Sequence, residues 1–315
     1  MRIVVALGGN ALLPRGKAMS ADLQRENIRI ASTALAAVAR KHQLILGHGN
    51  GPQIGLLALQ AEALKHQIEP FPFDVLGAES QGMIGYVLAQ EMSAQMPNTP
   101  VVCVLTQTEV DANDPAMKNP AKFIGPVYGK EEALRLADEK GWTVKPDGEY
   151  YRRVVPSPKP QHIVEIDAIR ALVNRETVVI AGGGGGIPVV RNDGRRFGLE
   201  AVIDKDLCCS LMACELDADC LIIATDVSAA FVGWGAPDAK AIRMAHPDAL
   251  EALDFAAGSM GPKVEAACAF VKRTGKRAAI GALEEIEAIV DGRAGTTVST
   301  EIDGVIYHEG TMTVT

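Results

Sequence analysis

Two glycine-rich turns near the start of the chain are the residues whose types and spacing best indicate chemistry. The first is Leu7-Gly8-Gly9-Asn10 and the second is His48-Gly49-Asn50-Gly51-Pro52-Gln53, and each follows a short apolar run. Glycine has no Cβ, so backbone N–H groups in such turns can come close to phosphate or carboxylate oxygens. The pair therefore predicts an oxyanion site, with the alternative that each is a tight turn without a ligand.

The second turn gives the stronger signal because a helix should begin inside it. Residues 43–46 are predicted to form a buried strand, and Pro52 stands where a first helical residue would, ahead of an apolar periodicity over residues 54–64. A helix that starts there adds the positive end of its dipole to the amides. Neither turn fits the dinucleotide fingerprint or a Walker loop, so spacing alone does not identify the anion.

Lysines occur beside comparable features in the second half of the chain. In Gly258-Ser259-Met260-Gly261-Pro262-Lys263 the proline again indicates a helix start, so Lys263 lies in a first turn, where a lysine opposes the helix dipole unless an anion is near. Lys205 stands between Asp204 and Asp206 ahead of another helical run. This triplet is either a surface ion cluster or a lysine that meets a phosphoryl group while a carboxylate orients it or helps to hold Mg²⁺.

A run of five glycines follows the predicted strand at residues 177–181. Its members are Gly182, Gly183, Gly184, Gly185 and Gly186. Five successive residues without side chains indicate that something large approaches the backbone. We expect a phosphate chain in that place.

Composition limits the class of protein. The chain has 315 residues, of which 48% are hydrophobic and 22% charged, enough for one large α/β domain or two lobes. The net charge of −8 and the lack of a dense basic run argue against a nucleic-acid partner. The six cysteines form no C-x-x-C pair and are interpreted as reduced thiols. No apolar stretch suits a signal peptide or a membrane span, so we expect a cytoplasmic protein without a membrane partner.

Apolar runs alternate with helical patterns along most of the chain, which predicts an α/β fold with a mainly parallel sheet covered on both faces. The predicted strands are residues 3–7, 44–46, 101–105, 177–181, 221–225 and 277–281. The predicted helices are residues 22–40, 54–67, 79–95, 130–140, 163–175, 201–216 and 262–274. Residues 111–160 break this rhythm with proline, charge and aromatics, and form either a small flap or a solvated insertion.

Taken in order, these motifs resemble the carbamate kinases, a branch of the amino-acid kinase family, over about residues 1–298. The matching stretches are VALGGNAL (5–12), HGNGPQ (48–53), DVLGAESQGMIGY (74–86), RRVVPSPKP (152–160), GGGGIP (183–188), EAVIDKDL (200–207) and GSMGPKVEA (258–266). The resemblance implies an open αβα sandwich with a mainly parallel sheet of about eight strands. It also implies a carbamate lobe over residues 1–190, a protruding subdomain over about 111–160, a nucleotide lobe over 191–315 and a homodimer.

The implied reaction is ATP plus carbamate giving ADP plus carbamoyl phosphate, run toward ATP in the catabolism of arginine or purines. Residues expected around the transferred phosphoryl group are Gly8, Gly9 and Asn10. Residues expected to hold carbamate through backbone N–H groups are Gly49, Asn50 and Gly51.

The resemblance also implies catalytic roles for four residues: Lys122 from the subdomain, Lys205 on the phosphoryl group, Asp206 as the group that orients the lysines, and Lys263 on the nucleotide phosphates. Residues expected near the nucleotide are Gly183, Gly184, Asp226, Val227 and Met260. Mg²⁺ is expected on the phosphates of ATP or ADP, without a direct protein ligand.

One position narrows the substrate within this family. Kinases of acetylglutamate, glutamate or aspartate usually carry a lysine just before Leu-Gly-Gly, where this chain has Ala6. In the carbamate branch Lys122 supplies the missing cation. Alternatives are a kinase of another small carboxylate and a non-catalytic sensor of carbamoyl phosphate or nucleotide. Departures from the family pattern are Phe123, where proline is common, and Cys208 and Cys209, whose thiols are hypothesised to make activity sensitive to oxidation.

Overall fold

The computed structural model describes residues 1–12, 20–256 and 258–309. Strands within these residues are β1 (Arg2–Leu7), β2 (Gln43–His48), β3 (Val101–Cys103), β4 (Gln107–Val110), β5 (Lys122–Tyr128), β6 (Thr143–Asp147), β7 (Tyr150–Val155), β8 (Pro160–Ile163), β9 (Val178–Ile180), β10 (Ile187–Asn192), β11 (Arg195–Gly198), β12 (Cys220–Thr225), β13 (Phe231–Val232), β14 (Lys240–Ala245), β15 (Arg277–Ala282), β16 (Thr296–Val298) and β17 (Val305–Tyr307). Helices are α1 (Gly9–Leu12), α2 (Ala21–Ala39), α3 (Gly51–Ala63), α4 (Phe73–Gln95), α5 (Lys130–Lys140), α6 (Ile166–Val173), α7 (Lys205–Glu215), α8 (Pro247–Glu251), α9 (Met260–Thr274) and α10 (Ile286–Val290).

A central sheet runs through both halves of the chain in the order β13-β14-β16-β15-β12-β1-β2-β9-β3, with β17 paired to β14. Six neighbours, from β15 to β3, are parallel to one another, and they are the six strands predicted from the apolar runs. Strand β16 is antiparallel to β15. The described residues give this sheet ten strands, or eight without the antiparallel edge strands β13 and β17, so the prediction of a mainly parallel sheet is confirmed.

Helices cover both faces of the sheet because each central strand is apolar on both sides. Val4 and Ala6 of β1 face a cluster that includes side chains of α6, α7 and α9. Ile3, Val5 and Leu7 face a second cluster with side chains of α2, α4 and α10. Strands buried on both faces have continuous rather than alternating apolar sequences, and such strands in a parallel sheet require helical crossovers. The result is the three-layered αβα arrangement.

Two predicted helices start four or more residues away from the predicted position. Helix α7 begins at Lys205 rather than at residue 201, because the extended residue Asp204 is its N-cap and accepts backbone hydrogen bonds from the residues that follow. Helix α4 begins at Phe73, six residues before the predicted start, and includes Gly77. Packing of α4 in the core outweighs the low helix propensity of that glycine. None of the described helices is long and apolar enough to cross a membrane.

Residues 111–160, called the insert below, contain a small antiparallel sheet in the order β5-β7-β6, together with α5. Strand β5 packs against helix α3 at unusually short range. A Cβ built on Gly55 of α3 would lie 2.0 Å from the Cα of Gly125, which itself has a φ of +70°. A second small sheet, β11-β10-β4-β8, lies outside the predicted elements. The close contact between Gly55 and Gly125 therefore fixes the insert against the helix that begins at the second glycine turn.

Replacement of Gly55 by alanine should destabilise this contact selectively. The added methyl group would overlap backbone atoms that cannot rotate away, so we expect a loss of about 1–3 kcal/mol in the free energy of unfolding. The matched control is Gly82→Ala in α4, where a Cβ has no neighbour within 4 Å and the higher helix propensity should add about 0.5–1 kcal/mol. Urea unfolding of both variants measures the difference. Equal stability of the two would contradict the close contact between α3 and β5.

Candidate active site

The two glycine turns lie side by side because the strands that precede them are adjacent and parallel. Leu7 is in register with His48 of β2 and with Ala224 of β12. The backbone N–H of Gly8 donates to the carbonyl of Ala224 at 2.9 Å, and that of Gly49 donates to the carbonyl of Leu7 at 3.0 Å. Parallel strands thus bring the predicted turns to one edge of the sheet, where α/β proteins bind ligands.

These hydrogen bonds correct one expectation for the second turn. The N–H of Gly49 is engaged by Leu7, so Gly49 does not offer it to carbamate. Gly9 and Gly51 are the first residues of α1 and α3, and first helical residues have no intrahelical partner for their N–H groups. The amide of Asn50 belongs to the N-cap of α3, and its side chain donates to Ser80 at 2.8 Å. Asn10 lies in α1, and its side chain is outside the described part of the chain.

Glycine is needed at position 49 because of the space that it leaves, not because of its N–H group. A Cβ at this position would lie 3.2 Å from the amide nitrogen of Gly9 and 3.5 Å from the Cδ of Lys205. The first distance is tighter than ordinary van der Waals contact, so a larger residue would push the turns apart. Gly49 thus allows the stem of Lys205 to pass beside both turns.

The predicted catalytic residues meet at the N-terminus of α7. The Lys205 ammonium donates to one carboxylate oxygen of Asp206, and Lys263 donates to the other, Oδ2, at 3.2 Å. Lys122, the first residue of β5, donates to Oδ2 of Asp204 at 2.5 Å. Three lysines from the insert, α7 and α9 are therefore arranged on two aspartates, and the cluster carries one excess positive charge.

The excess positive charge of the lysine–aspartate cluster is important because most of the cluster is buried. Asp204, Lys205 and Asp206 are each less than 9% exposed. Desolvation favours neutral Lys205, but the charge and hydrogen bond of Asp206 outweigh it and raise the pKa of Lys205. Burial also opposes the ionisation of Asp204, yet Lys122 holds the pKa of that carboxyl well below its usual range.

Lys263 is the lysine whose charge the protein stabilises least. Burial, followed by repulsion from Lys205, lowers the pKa of Lys263 despite its contact with Asp206. A bound anion would restore the balance, since an opposite charge favours the charged form. The cluster is therefore electrostatically suited to a ligand with several negative charges.

His48 is buried under the second turn and is neutral. Its Nδ1 donates to the carbonyl of Gly49 at 3.1 Å, which requires the proton on that nitrogen. Burial lowers the pKa of His48 to about 4, and the nearby charge of Lys205 contributes in the same direction. This environment agrees with the interpretation that His48 shapes the turn rather than acting as a general base.

The five glycines are closely approached by the protein itself. All five are buried, and a Cβ on Gly183 would lie 2.4 Å from Nε2 of His48. On Gly184, whose φ is +65°, it would lie 2.1 Å from Nδ2 of Asn50. Gly185 and Gly186 meet Ile203 and Thr108 in the same way. Gly183 and Gly184 thus make room for His48 and Asn50, and their nucleotide-binding role stays a prediction.

Three other predicted residues lie at ends of elements near the cluster. Asp226 and Val227 follow β12, the strand next to β1, and Oγ1 of Thr225 donates to Asp226 at 3.1 Å. Met260 begins α9, the helix that carries Lys263. Their contact with a nucleotide stays a prediction.

The cysteine hypothesis is weakened by burial. Cys208 and Cys209 are both fully buried, and Cys209 occupies the space beside Gly47, where a Cβ would lie 2.2 Å from its Sγ. Desolvation raises the pKa of Cys208 to about 12 and that of Cys209 well above the ordinary value. Because the thiolate is the reactive form, neither thiol has the environment of an oxidation sensor.

Two features of the site were not assigned from the sequence. Asp204 binds Lys122 and caps α7, and an aspartate directly ahead of a helical run is a recognisable cap signal. Phe123 packs its ring against the loop before α9, where a Cβ on Gly258 would lie 3.0 Å from Cε2 of the ring. No local pattern identifies that second contact.

Known proteins resemble this chain over nearly its whole length. The sequence model of the amino acid kinase family matches residues 1–282. A carbamate kinase of Haemophilus influenzae is 54% identical over 310 residues, which are 98% of this chain and 100% of that protein. The structure of a carbamate kinase from Giardia lamblia bound to citric acid aligns with a TM-score of 0.90 at 38% identity, covering 95% of this chain and 98% of the other. The same enzyme bound to AMP-PNP aligns with a TM-score of 0.85 at 39% identity and the same coverage.

The buried neutral state of His48 predicts a pH dependence of stability. Its pKa is about 4 in the folded protein and about 6.5 when unfolded, so the unfolded chain binds more protons between those values. The stabilisation is complete above about pH 6.5 and is lost as the pH falls toward 4, with a loss of about 2 kcal/mol between pH 7 and 5. Urea unfolding at both pH values should show this component in the wild type and in a His66→Gln control, whose histidine is exposed. A His48→Gln variant with the same loss as the wild type would contradict the assignment.

Proposed function

The chain belongs to the amino acid kinase family, and on that premise we propose that it is a carbamate kinase, which transfers a phosphoryl group reversibly between ATP and carbamate. The relative from Haemophilus influenzae, at 54% identity over its full length, carries that name. The observation that carries the proposal is the convergence of Lys122, Lys205 and Lys263 on two buried aspartates beside the glycine turns. Such a cluster supplies fixed cations where negative charge must be gathered.

The chemistry needs cations more than it needs a base. Carbamate is already an anion, so its oxygen can attack the γ-phosphorus without the prior loss of a proton. Repulsion between the two negative reactants is the obstacle, and preorganised cations and N–H dipoles lower it most as charge spreads over the transferring group. A neutral, buried His48 and a strongly cationic Lys205 suit this demand.

We assign roles according to which element supplies each group. Lys205 contacts the transferring phosphoryl group, with its stem beside Gly49. Asp206 orients Lys205 and Lys263 through its two oxygens. Lys263 binds the nucleotide phosphates, and Lys122 reaches the reactants from the insert.

The remaining binding residues are proposed from their positions at the sheet edge. Gly8, Gly9 and Asn10 surround the phosphoryl group as a loop, in which the N–H of Gly8 is engaged by Ala224 and the amide of Gly9, at the start of α1, is an oxyanion donor. Asn50 and Gly51 hold carbamate at the start of α3. Asp226, Val227 and Met260 lie beside the nucleotide.

Nucleotide and Mg²⁺ enter together in this proposal. A related carbamate kinase is described as bound to AMP-PNP, an analogue of ATP. The carboxylates of Asp204 and Asp206 both receive lysine hydrogen bonds, so they are poor ligands for a cation in this arrangement. We therefore propose that Mg²⁺ binds the phosphates of ATP or ADP, where it would neutralise negative charge.

The two reactants are proposed to bind to different parts of the chain. Carbamate binds within residues 1–190 and the nucleotide mainly within residues 191–315, as the origins of the glycine turns and of Lys263 suggest. A homodimer, a cytoplasmic location and net flux toward ATP in arginine or purine catabolism rest on the resemblance to carbamate kinases alone.

The first test is ATP formation from ADP, Mg²⁺ and carbamoyl phosphate, with acetyl phosphate as a competing donor. We expect rapid ATP formation from carbamoyl phosphate, and its loss in Lys122→Ala, because this lysine supplies the cation that position 6 lacks. A luciferase-coupled assay measures the rate. ADP binding without ATP formation would instead favour a sensor, and a preference for acetyl phosphate would favour another small carboxylate.

The second test separates the chemical step from nucleotide binding. Lys205→Ala should lower kcat by about 100-fold or more, because Lys205 stabilises charge that develops in the transition state, while the KM for ADP changes much less. Lys41→Ala is the matched control, since its side chain is 67% exposed in a surface ion pair. Steady-state kinetics of the three proteins decide the matter. A Lys205→Ala enzyme with wild-type kcat would remove Lys205 from the mechanism.

A further inference from the structure

We propose that Asp204 is a positioning residue for phosphoryl transfer: it fixes the Lys122 ammonium at the reaction site and links the insert to helix α7. The inference rests on the proposed function, because it gives the catalytic lysine of the insert its structural support. Asp204 itself contacts protein groups on both sides, so it acts through Lys122 rather than on the reactants.

The two oxygens of Asp204 have separate partners. Oδ1 accepts backbone hydrogen bonds from Asp206 at 2.8 Å and from Leu207 at 3.2 Å, which fixes the orientation of the carboxylate at the start of α7. Oδ2 accepts the hydrogen bond from Lys122 at 2.5 Å. The position of the ammonium is therefore set by the same backbone that carries Lys205 and Asp206.

Capping alone does not explain an aspartate at this position. Serine, threonine or asparagine caps a helix about as well through a single oxygen and brings no charge. Asp204 is only 7% exposed, and the burial of a carboxylate is costly unless a cation and hydrogen bonds compensate for it. Lys122 is the lysine bound to this carboxylate, so the charge of Asp204 is accounted for by the insert.

Lys122 depends on this contact in turn. Within the described part of the chain, Asp204 is the partner that Lys122 has in a hydrogen bond or ion pair. A free lysine side chain samples many rotamers, and fixing it costs conformational entropy. An ammonium has three N–H donors, so one can remain on Asp204 while the others reach a substrate oxygen.

Phe123, the residue after Lys122, adds a second contact between the insert and the candidate site. Phe123 places its ring against Gly258 in the loop that leads into α9. Lys122 and Phe123 therefore contact the residues that lead into the two helices that carry Lys205 and Lys263. Asp204 holds the charged member of this pair at the same cluster.

The test is a double-mutant cycle on carbamoyl-phosphate-dependent ATP formation. Asp204→Asn keeps an oxygen for the cap and removes the charge that holds Lys122. We expect kcat/KM for carbamoyl phosphate to fall about 10- to 100-fold, with less than a threefold change in the KM for ADP. In a Lys122→Met background, the same Asp204→Asn change should lower kcat/KM less than twofold. The control is Glu265→Gln, which breaks the exposed pair with Lys159 of the insert and should change kcat/KM less than twofold.

Other outcomes would overturn the inference. Equal losses from Asp204→Asn in both backgrounds, or no loss in the wild-type background, would show that Asp204 does not act through Lys122. If Asp204→Asn fails to fold, Asp204→Ser, which keeps the cap but cannot reach Lys122, replaces it in the cycle.

A readout independent of activity separates this inference from the proposed function. Hydrogen exchange of the amides of residues 121–125 should speed up several-fold in Asp204→Asn and stay unchanged in Glu265→Gln. If the wild-type protein makes no ATP from carbamoyl phosphate but the two variants show this exchange pattern, the proposed function is contradicted. The link between Asp204 and Lys122 then still stands. Unchanged exchange in Asp204→Asn would contradict the link itself.

Discussion

Two buried carboxylates at the start of helix α7 determine the arrangement of the candidate site. Asp204 and Asp206 cannot remain ionised at such low exposure without cations, and the chain provides them from three separate places. Because three lysines pair with two carboxylates, the positive charges exceed the negative charges by one. An anionic reactant completes the balance, so the same interactions that make the aspartates tolerable also make the site attractive to phosphate and carboxylate groups.

Close backbone contacts allow these groups to meet. Glycine at positions 47, 49, 55 and 183 leaves space that Cys209, Lys205, Gly125 and His48 respectively occupy. In each case a methyl group would require backbone or a buried side chain to move, and dense interiors resist such movement. These four glycines are therefore required mainly for packing. The parallel sheet places the turns at one edge, and the glycines let the lysine stems and neighbouring elements close around that edge.

Much of the fold and of the candidate site could be predicted from the sequence, and the parts that could not be predicted have physical causes. The six parallel strands have long apolar runs because both of their faces are buried, so pattern alone identifies them. The outer part of the hairpin of β10 and β11 is exposed and arginine-rich, yet Asp193-Gly194, with φ values of +48° and +77°, is a turn signal that could have revealed it. The run of five glycines indicates that something approaches the backbone but not what it is, and the side chains of His48 and Asn50 beside Gly183 and Gly184 could not be foreseen. The bond between Lys122 and Asp204 joins residues 82 positions apart, which no local spacing can indicate.

The source of the third cation follows from the packing of β1. Ala6 is fully buried near the C-terminal end of this strand, in register with Gly47, and the space beside Gly47 is filled by the sulfur of Cys209. A lysine stem at position 6 would have to displace that packing. A cation from outside the central sheet avoids the conflict, but it lacks the rigid support that a buried strand provides. The ion pair with Asp204 and the contact between Gly55 and Gly125 supply that support, so the geometry of the site depends on how the insert rests on α7 and α3.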